Sequence, residues 1–159
     1  MESQETNLTP PRRRWLIVTA AGLGMYLMSL DTSVNIALPA IAEDFDIQIT
    51  SVQWIIIAYL VTRASLLLAA GGAADALGLK RVYITGISVY IAAVTVIGVL
   101  PDLYQIFGLR VFQAVGAGMV YATVPAIVGR TLPPGQRGLG MGVVTAGLSL
   151  GMVTGALGG

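Results

Sequence analysis

The sequence of 159 residues contains no cysteine and no histidine, and only 11% of its residues are charged. Without cysteine there can be no disulfide and no thiol chemistry, and without both residue types most transition-metal sites are excluded. Catalytic triads that use histidine are excluded for the same reason. Nor does the sequence contain a basic patch suited to nucleic acid. We therefore expect no metal, no cofactor, no nucleic-acid partner and no enzymatic activity.

What the sequence does contain is long apolar runs. Hydrophobic residues make up 55% of the chain, and the charged fraction is less than half of the roughly 25% typical of soluble domains. About 20 apolar residues suffice for a helix to cross roughly 30 Å of hydrocarbon. The runs predict an all-α integral membrane protein, with a polar lead at residues 1–14 and a bundle at residues 15–159. Its transmembrane helices are predicted at approximately 15–38, 52–74, 82–100, 103–128 and 139–159.

The loop charges separate by sign between the two sides of this predicted bundle. One side carries the basic loop residues, Arg12, Arg13, Arg14, Lys80, Arg81, Arg130 and Arg137. The loops of the opposite side carry only acids, Glu43, Asp44, Asp46 and Asp102. Basic loops remain in the cytoplasm. The pattern therefore predicts a multi-pass protein of the plasma or inner membrane with a cytoplasmic N-terminus.

Three charged residues lie inside the predicted spans: Asp31, Arg63 and Arg110. Counting about 1.5 Å per residue from the predicted helix ends places all three at a similar depth. A charge at that depth costs at least about 2.5–3.5 kcal/mol unless it is paired or faces water, so each residue is a candidate for a functional site. A purely structural Asp–Arg pair that holds helices in register remains the alternative.

Four stretches carry a resemblance to a known family. They are SLDTSVNIALP (29–39), GGAADALGLKR (71–81), LRVFQAVGAG (109–118) and GLSLGMVTGALGG (147–159). In this order they resemble motifs of the major facilitator superfamily, within it the drug:proton antiporters with fourteen helices. The first stretch fits that subgroup's first-helix pattern, approximately L-D-x-T-x-V-N-x-A-L-P. The fourth lacks the expected proline, and ordinary helix packing explains its glycines equally well.

The resemblance implies a secondary transporter that couples proton entry to efflux of drugs or other small lipophilic molecules. It implies proton coupling by Asp31 and Arg110, and it places Asn35 and Gln113 at the substrate cavity. Arg63 matches none of the motifs and is assigned to the cavity from its position alone. The predicted cytoplasmic gating loop consists of Gly71, Asp75, Gly78, Lys80 and Arg81. The predicted helix-packing glycines are Gly147, Gly151, Gly155 and Gly159.

Transporters of this kind are built from halves of six helices, so five helices predict an incomplete N-terminal bundle. The expected partners are the lipid bilayer, a small-molecule substrate, protons and the remainder of the transporter chain. Two alternatives remain open: a major-facilitator transporter that is not an antiporter, and a small helix-bundle assembly protein that dimerises through the glycine stripe. A membrane enzyme is disfavoured, because the spans also lack two close carboxylates.

Overall fold

A computed structural model describes residues 10–30, 48–97 and 103–158. In these ranges the chain forms helices and no strand, which confirms the all-α prediction. The α helices are α1 (Pro11–Ser29), α2 (Ile49–Leu77), α3 (Leu79–Ile97), α4 (Leu103–Thr131) and α5 (Arg137–Gly158), with a 3-10 turn at Pro134–Gln136 before α5. Within these described ranges, four helical segments are long and apolar enough to cross a membrane: Ile56–Leu77, Leu79–Ile97, Gly108–Thr131 and Pro134–Leu157.

The helices extend past several of the predicted boundaries. α1 begins at Pro11 rather than Trp15, since proline is well suited to a first helical position. α2 continues through Asp75 to Leu77, so the predicted connection at residues 75–81 is wrong. Only Gly78 interrupts the helices there, with a φ of 92° that glycine adopts without strain. Asp75 therefore lies in the last turn of α2.

The other boundaries differ by a few residues. α4 ends at Thr131 rather than at residue 128, and α5 begins at Arg137 rather than at residue 139. Predicted helical residues 31–38, 98–100 and 159 lie outside the described ranges. Counting apolar residues underestimates these helices, because a helix can continue beyond the hydrocarbon region into polar sequence.

Side-chain contacts fix the relative directions of the helices. Tyr83 on α3 donates a hydrogen bond to the carbonyl of Ala20 at 2.7 Å, and Tyr90 donates one to that of Leu27 at 3.2 Å. Both numbers increase together, so α1 and α3 are parallel. In the same way Arg63 lies against Gly118 while Asp75 contacts Arg130, which makes α2 parallel to α4.

α4 lies at the centre of the described bundle and packs against each of the other four helices. Its buried stripe carries Ala114, Ala117, Val120 and Val124, each at most 1% exposed. Against α3 the approach is closest at Gly116, where an added methyl group would lie 2.6 Å from the carbonyl oxygen of Gly86. Glycine is required there because the two backbones are in contact.

Candidate functional site

Arg110 and Gln113 form a buried polar pair on α4. They are three residues apart and so share one helical face. Arg110 Nη1 donates a hydrogen bond of 2.9 Å to Gln113 Oε1. Arg110 is 9% exposed and Gln113 is 1% exposed. A guanidinium held out of water in an apolar helix is costly, and among the described residues Arg110 is the charged side chain that is buried.

Asp31 and Asn35, which were predicted to act with this pair, lie outside the described residues. The described chain of α1 ends at Leu30, which packs against Gly155 of α5. The predicted grouping of Asp31 with Arg110 remains a prediction.

Arg63 lies between two aromatic rings. Its guanidinium carbon is 4.7 Å from the centroid of the Tyr121 ring on α4 and 5.3 Å from that of the Tyr59 ring, one turn earlier on α2. Both distances fall within the roughly 6 Å range of a cation–π interaction. Neither tyrosine was predicted as a site residue from the sequence, where the available signal was the position of Tyr59 four residues before the charged Arg63.

The predicted common depth of Arg63 and Arg110 is wrong. The backbone of Arg63 packs against Gly118, which lies eight residues after Arg110 and therefore about 12 Å further along α4. The prediction counted from the two faces of a core about 30 Å thick, whereas α4 has 29 residues and is about 43 Å long. Arg63 and Arg110 thus belong to two separate levels of the bundle.

The predicted gating residues are spread over the end of α2 and the start of α3. Asp75 Oδ1 lies 2.9 Å from Nη2 of Arg130 at the end of α4, and both side chains are mostly exposed. Lys80 and Arg81 are exposed at the start of α3, and in the described chain the ion pair of Asp75 is with Arg130. Arg130 was not predicted as the partner of Asp75, although an acid in an otherwise basic connection was the available signal.

The glycines divide into close-packed and open positions. Gly147, Gly151 and Gly155 of α5 lie against α1, where added methyl groups would meet the backbone at Gly22, Tyr26 and Leu30, respectively. Gly71 has no neighbour within 4 Å of an added methyl group in the described structure. Gly159 lies outside the described residues. The three described glycines of the α5 stripe are thus covered by α1 within the chain, so they do not offer the dimerisation surface that the assembly-protein alternative required.

The described ranges contain no cluster of acidic residues able to hold a metal ion. What the arrangement provides is a membrane-embedded bundle with two guanidinium groups at different depths and an ion pair at one end of the bundle.

Comparison with known proteins agrees with this geometry. Residues 14–159 match the family model of the Major Facilitator Superfamily. Among similar proteins, the riboflavin transporter RibZ of Clostridioides difficile is 30% identical over 91% of this chain and 32% of its own length. The puromycin resistance protein pur8 of Streptomyces alboniger is 34% identical over 99% of this chain and 32% of its own length.

The multidrug resistance protein Stp of Mycobacterium tuberculosis is 32% identical over 91% of this chain and 27% of its own length. The chain thus spans about a third of the length of the curated relatives it matches. The family match covers nearly the whole chain. The described structure is an all-helical bundle with helices that are able to span a membrane. This chain is therefore a multi-pass membrane protein of the transporter family known as the Major Facilitator Superfamily.

Proposed function

We propose that the chain acts, together with further helices of a transporter, in proton-coupled efflux of drugs or other small lipophilic molecules. The observation that carries this proposal is the buried Arg110–Gln113 pair at 2.9 Å. Relatives named for resistance to puromycin and to multiple drugs support the direction of transport. In this proposal the membrane is the cell membrane, and the basic loops support a cytoplasmic N-terminus.

The proton is carried by Asp31 in this proposal. Burial in the hydrocarbon region disfavours the charged form of a carboxyl group, and contact with water favours it. A change in the access of water to Asp31 would therefore drive proton binding or release. Arg110, fixed by Gln113 on α4, favours the charged form of a nearby carboxylate. Asn35 lies four residues after Asp31 and would share its face in a helix. With Gln113, it would contact the substrate.

The Asp75–Arg130 ion pair contributes conformational control in this proposal. It connects the cytoplasmic ends of α2 and α4. Forming or breaking it changes the stability of the bundle little, because exposed ion pairs typically contribute about 0–1 kcal/mol. A contact of that strength can break and re-form during a transport cycle. Gly78, Lys80 and Arg81 complete the same end of the bundle.

The test uses the complete transporter in proteoliposomes with an imposed pH gradient, and the molecules offered for transport are ethidium, puromycin and the lipophilic carboxylate 2-naphthoate. Asp31→Asn removes the titratable group at nearly constant volume, and we expect it to abolish gradient-driven transport. Arg110→Gln should shift the pH dependence of transport. Asp46→Asn makes the same chemical change in a predicted outer loop and should leave transport intact. Undiminished proton coupling in Asp31→Asn would show that the carboxylate is structural.

A second candidate is a transporter of the same family that is not an antiporter. A relative named as a riboflavin transporter favours it. In the same proteoliposomes, such a protein would equilibrate riboflavin or another substrate at equal rates with and without the pH gradient.

A further inference from the structure

Arg63 is the charge that the proton-coupling scheme leaves without a role. It lies midway along α2, about 21 Å from either end of the helix. Its backbone packs against Gly118, which lies 10 residues after the start and 13 residues before the end of the apolar segment Gly108–Thr131, so Arg63 lies deep within the membrane. The phosphate groups of lipids are therefore out of reach of its side chain.

The two tyrosine rings hold the guanidinium but do not satisfy its hydrogen-bonding groups. A cation–π interaction uses the flat face of the guanidinium, whereas its five N–H donors point outward in the plane. In the part of the chain that the structure describes, no hydrogen bond or ion pair joins Arg63 to another residue, and its contacts are with the rings of Tyr59 and Tyr121. The edge of the guanidinium therefore has donors available for an acceptor.

The charge balance of the spans favours an anionic acceptor. The predicted spans contain one carboxylate, Asp31, and two guanidinium groups, Arg63 and Arg110. Within these spans one carboxylate can neutralise only one of them, and protonation of Asp31 would leave both guanidinium groups without a carboxylate from this part of the chain. A bound anion would remove this excess, whereas a lipophilic cation would add to it. Planar guanidinium binds carboxylate through two parallel hydrogen bonds.

Arg63 is also separated from the buried pair. Its backbone lies against Gly118, about 12 Å along α4 from Arg110. A ligand group at Arg63 would therefore not displace the Arg110–Gln113 hydrogen bond. Leu66 packs against Gly118 at the same level and, with the rings of Tyr59 and Tyr121, provides apolar surface there. The level suits a molecule with an apolar body and one acidic group.

We propose that Arg63, held between Tyr59 and Tyr121, binds the anionic group of the transported molecule, whose class is a lipophilic carboxylate. This proposal rests on the proposed transport function. The alternative is that Arg63 only connects α2 to α4 through the two rings. The two roles predict different results when the guanidinium is removed. Only the binding role predicts that the protein then loses its preference for anionic over cationic ligands.

The test measures equilibrium binding of two tritiated probes of matched size and opposite charge, 2-naphthoate and 2-naphthylmethylammonium. The complete transporter is embedded in nanodiscs, and empty nanodiscs correct for partitioning into lipid. Wild type should bind naphthoate saturably and at least about tenfold more tightly than the ammonium probe. Arg63→Gln should weaken naphthoate binding by about 10- to 100-fold, as expected for loss of charge-assisted hydrogen bonds. It should leave the ammonium probe unchanged.

Two further variants make the result decisive. Arg12→Gln removes an exposed arginine at the start of α1 and should bind both probes as wild type does. Arg63→Lys keeps the charge but loses the planar pair of donors, so naphthoate binding should weaken by about threefold or more even if Arg63→Gln does not fold. Naphthoate affinity that is unchanged in Arg63→Lys or Arg63→Gln would overturn the proposal. Equal weakening of both probes, or no saturable naphthoate binding to wild type, would also overturn it.

The binding measurement requires no proton gradient. A transporter that is not coupled to protons would still bind naphthoate more tightly than the ammonium probe. Proton coupling itself is tested separately, by comparing Asp31→Asn with wild type in proteoliposomes.

Discussion

Substituting Gly116 by alanine tests the close approach of α3 and α4. The added methyl group would lie 2.6 Å from the carbonyl oxygen of Gly86 and 2.7 Å from the amide nitrogen of Tyr90. Both atoms belong to backbone, so no side chain can rotate away. Reaching an ordinary contact distance requires the helices to separate by roughly 0.5–1 Å, and a gap of that size forfeits a quarter to a half of each neighbouring dispersion contact.

We expect Gly116→Ala to lower the free energy of unfolding by about 1–3 kcal/mol, the range measured for overpacked interiors. Gly142→Ala on α5 is the matched control, because no atom of the described residues lies within 4 Å of its added methyl group. In a helix this second substitution should be neutral or stabilising, by up to about 1 kcal/mol. The comparison removes the intrinsic difference between glycine and alanine from the result.

The assay is reversible unfolding of the purified protein in bilayer discs by steric trapping, which reports free energy without denaturant. Thermal unfolding in detergent gives an independent ranking of the two variants. If Gly116→Ala is as stable as Gly142→Ala, then the α3–α4 contact is not as close as described and the reasoning fails.

Two further outcomes follow from the end of the bundle that carries Asp75 and Arg130. Asp75→Asn or Arg130→Gln should slow transport while changing stability by less than about 1 kcal/mol, since the pair is largely exposed. Exchanging the two residues in a double variant should restore part of the transport rate. If the single variants transport as wild type does and the exchange has no effect, the pair consists of surface charges without a role in transport. Reporter fusions after Arg81 and Arg137 should be cytoplasmic and those after Asp46 and Asp102 extracytoplasmic; a cytoplasmic signal at Asp102 would contradict the predicted orientation.

The fold class was predictable from sequence because a membrane imposes a simple rule. A segment of roughly 20 apolar residues must form a helix to satisfy its backbone in lipid, and hydropathy reports that directly. Helix ends were less predictable. Gly78 was recognisable as a break, but nothing in hydropathy indicated that Asp75 remains helical.

The candidate site was predictable only within single helices. The spacing of Arg110 and Gln113 indicated a shared face, and the structure contains their hydrogen bond. Contacts between helices, such as Arg63 with Tyr121 or Asp75 with Arg130, depend on register, which side-chain packing between helices decides. Here Gly118 sets that register by allowing the Arg63 backbone to approach. No spacing rule along one helix contains that information.

The connection between α2 and α3 consists of Gly78 alone. One residue spans at most about 3.6 Å of chain, so these two helices have almost no slack. They can turn about the glycine, but one cannot slide past the other by as much as a helical turn of about 5.4 Å. Both helices also pack against α4. The three helices α2, α3 and α4 are therefore expected to move together, since a lateral displacement of one would displace the other two.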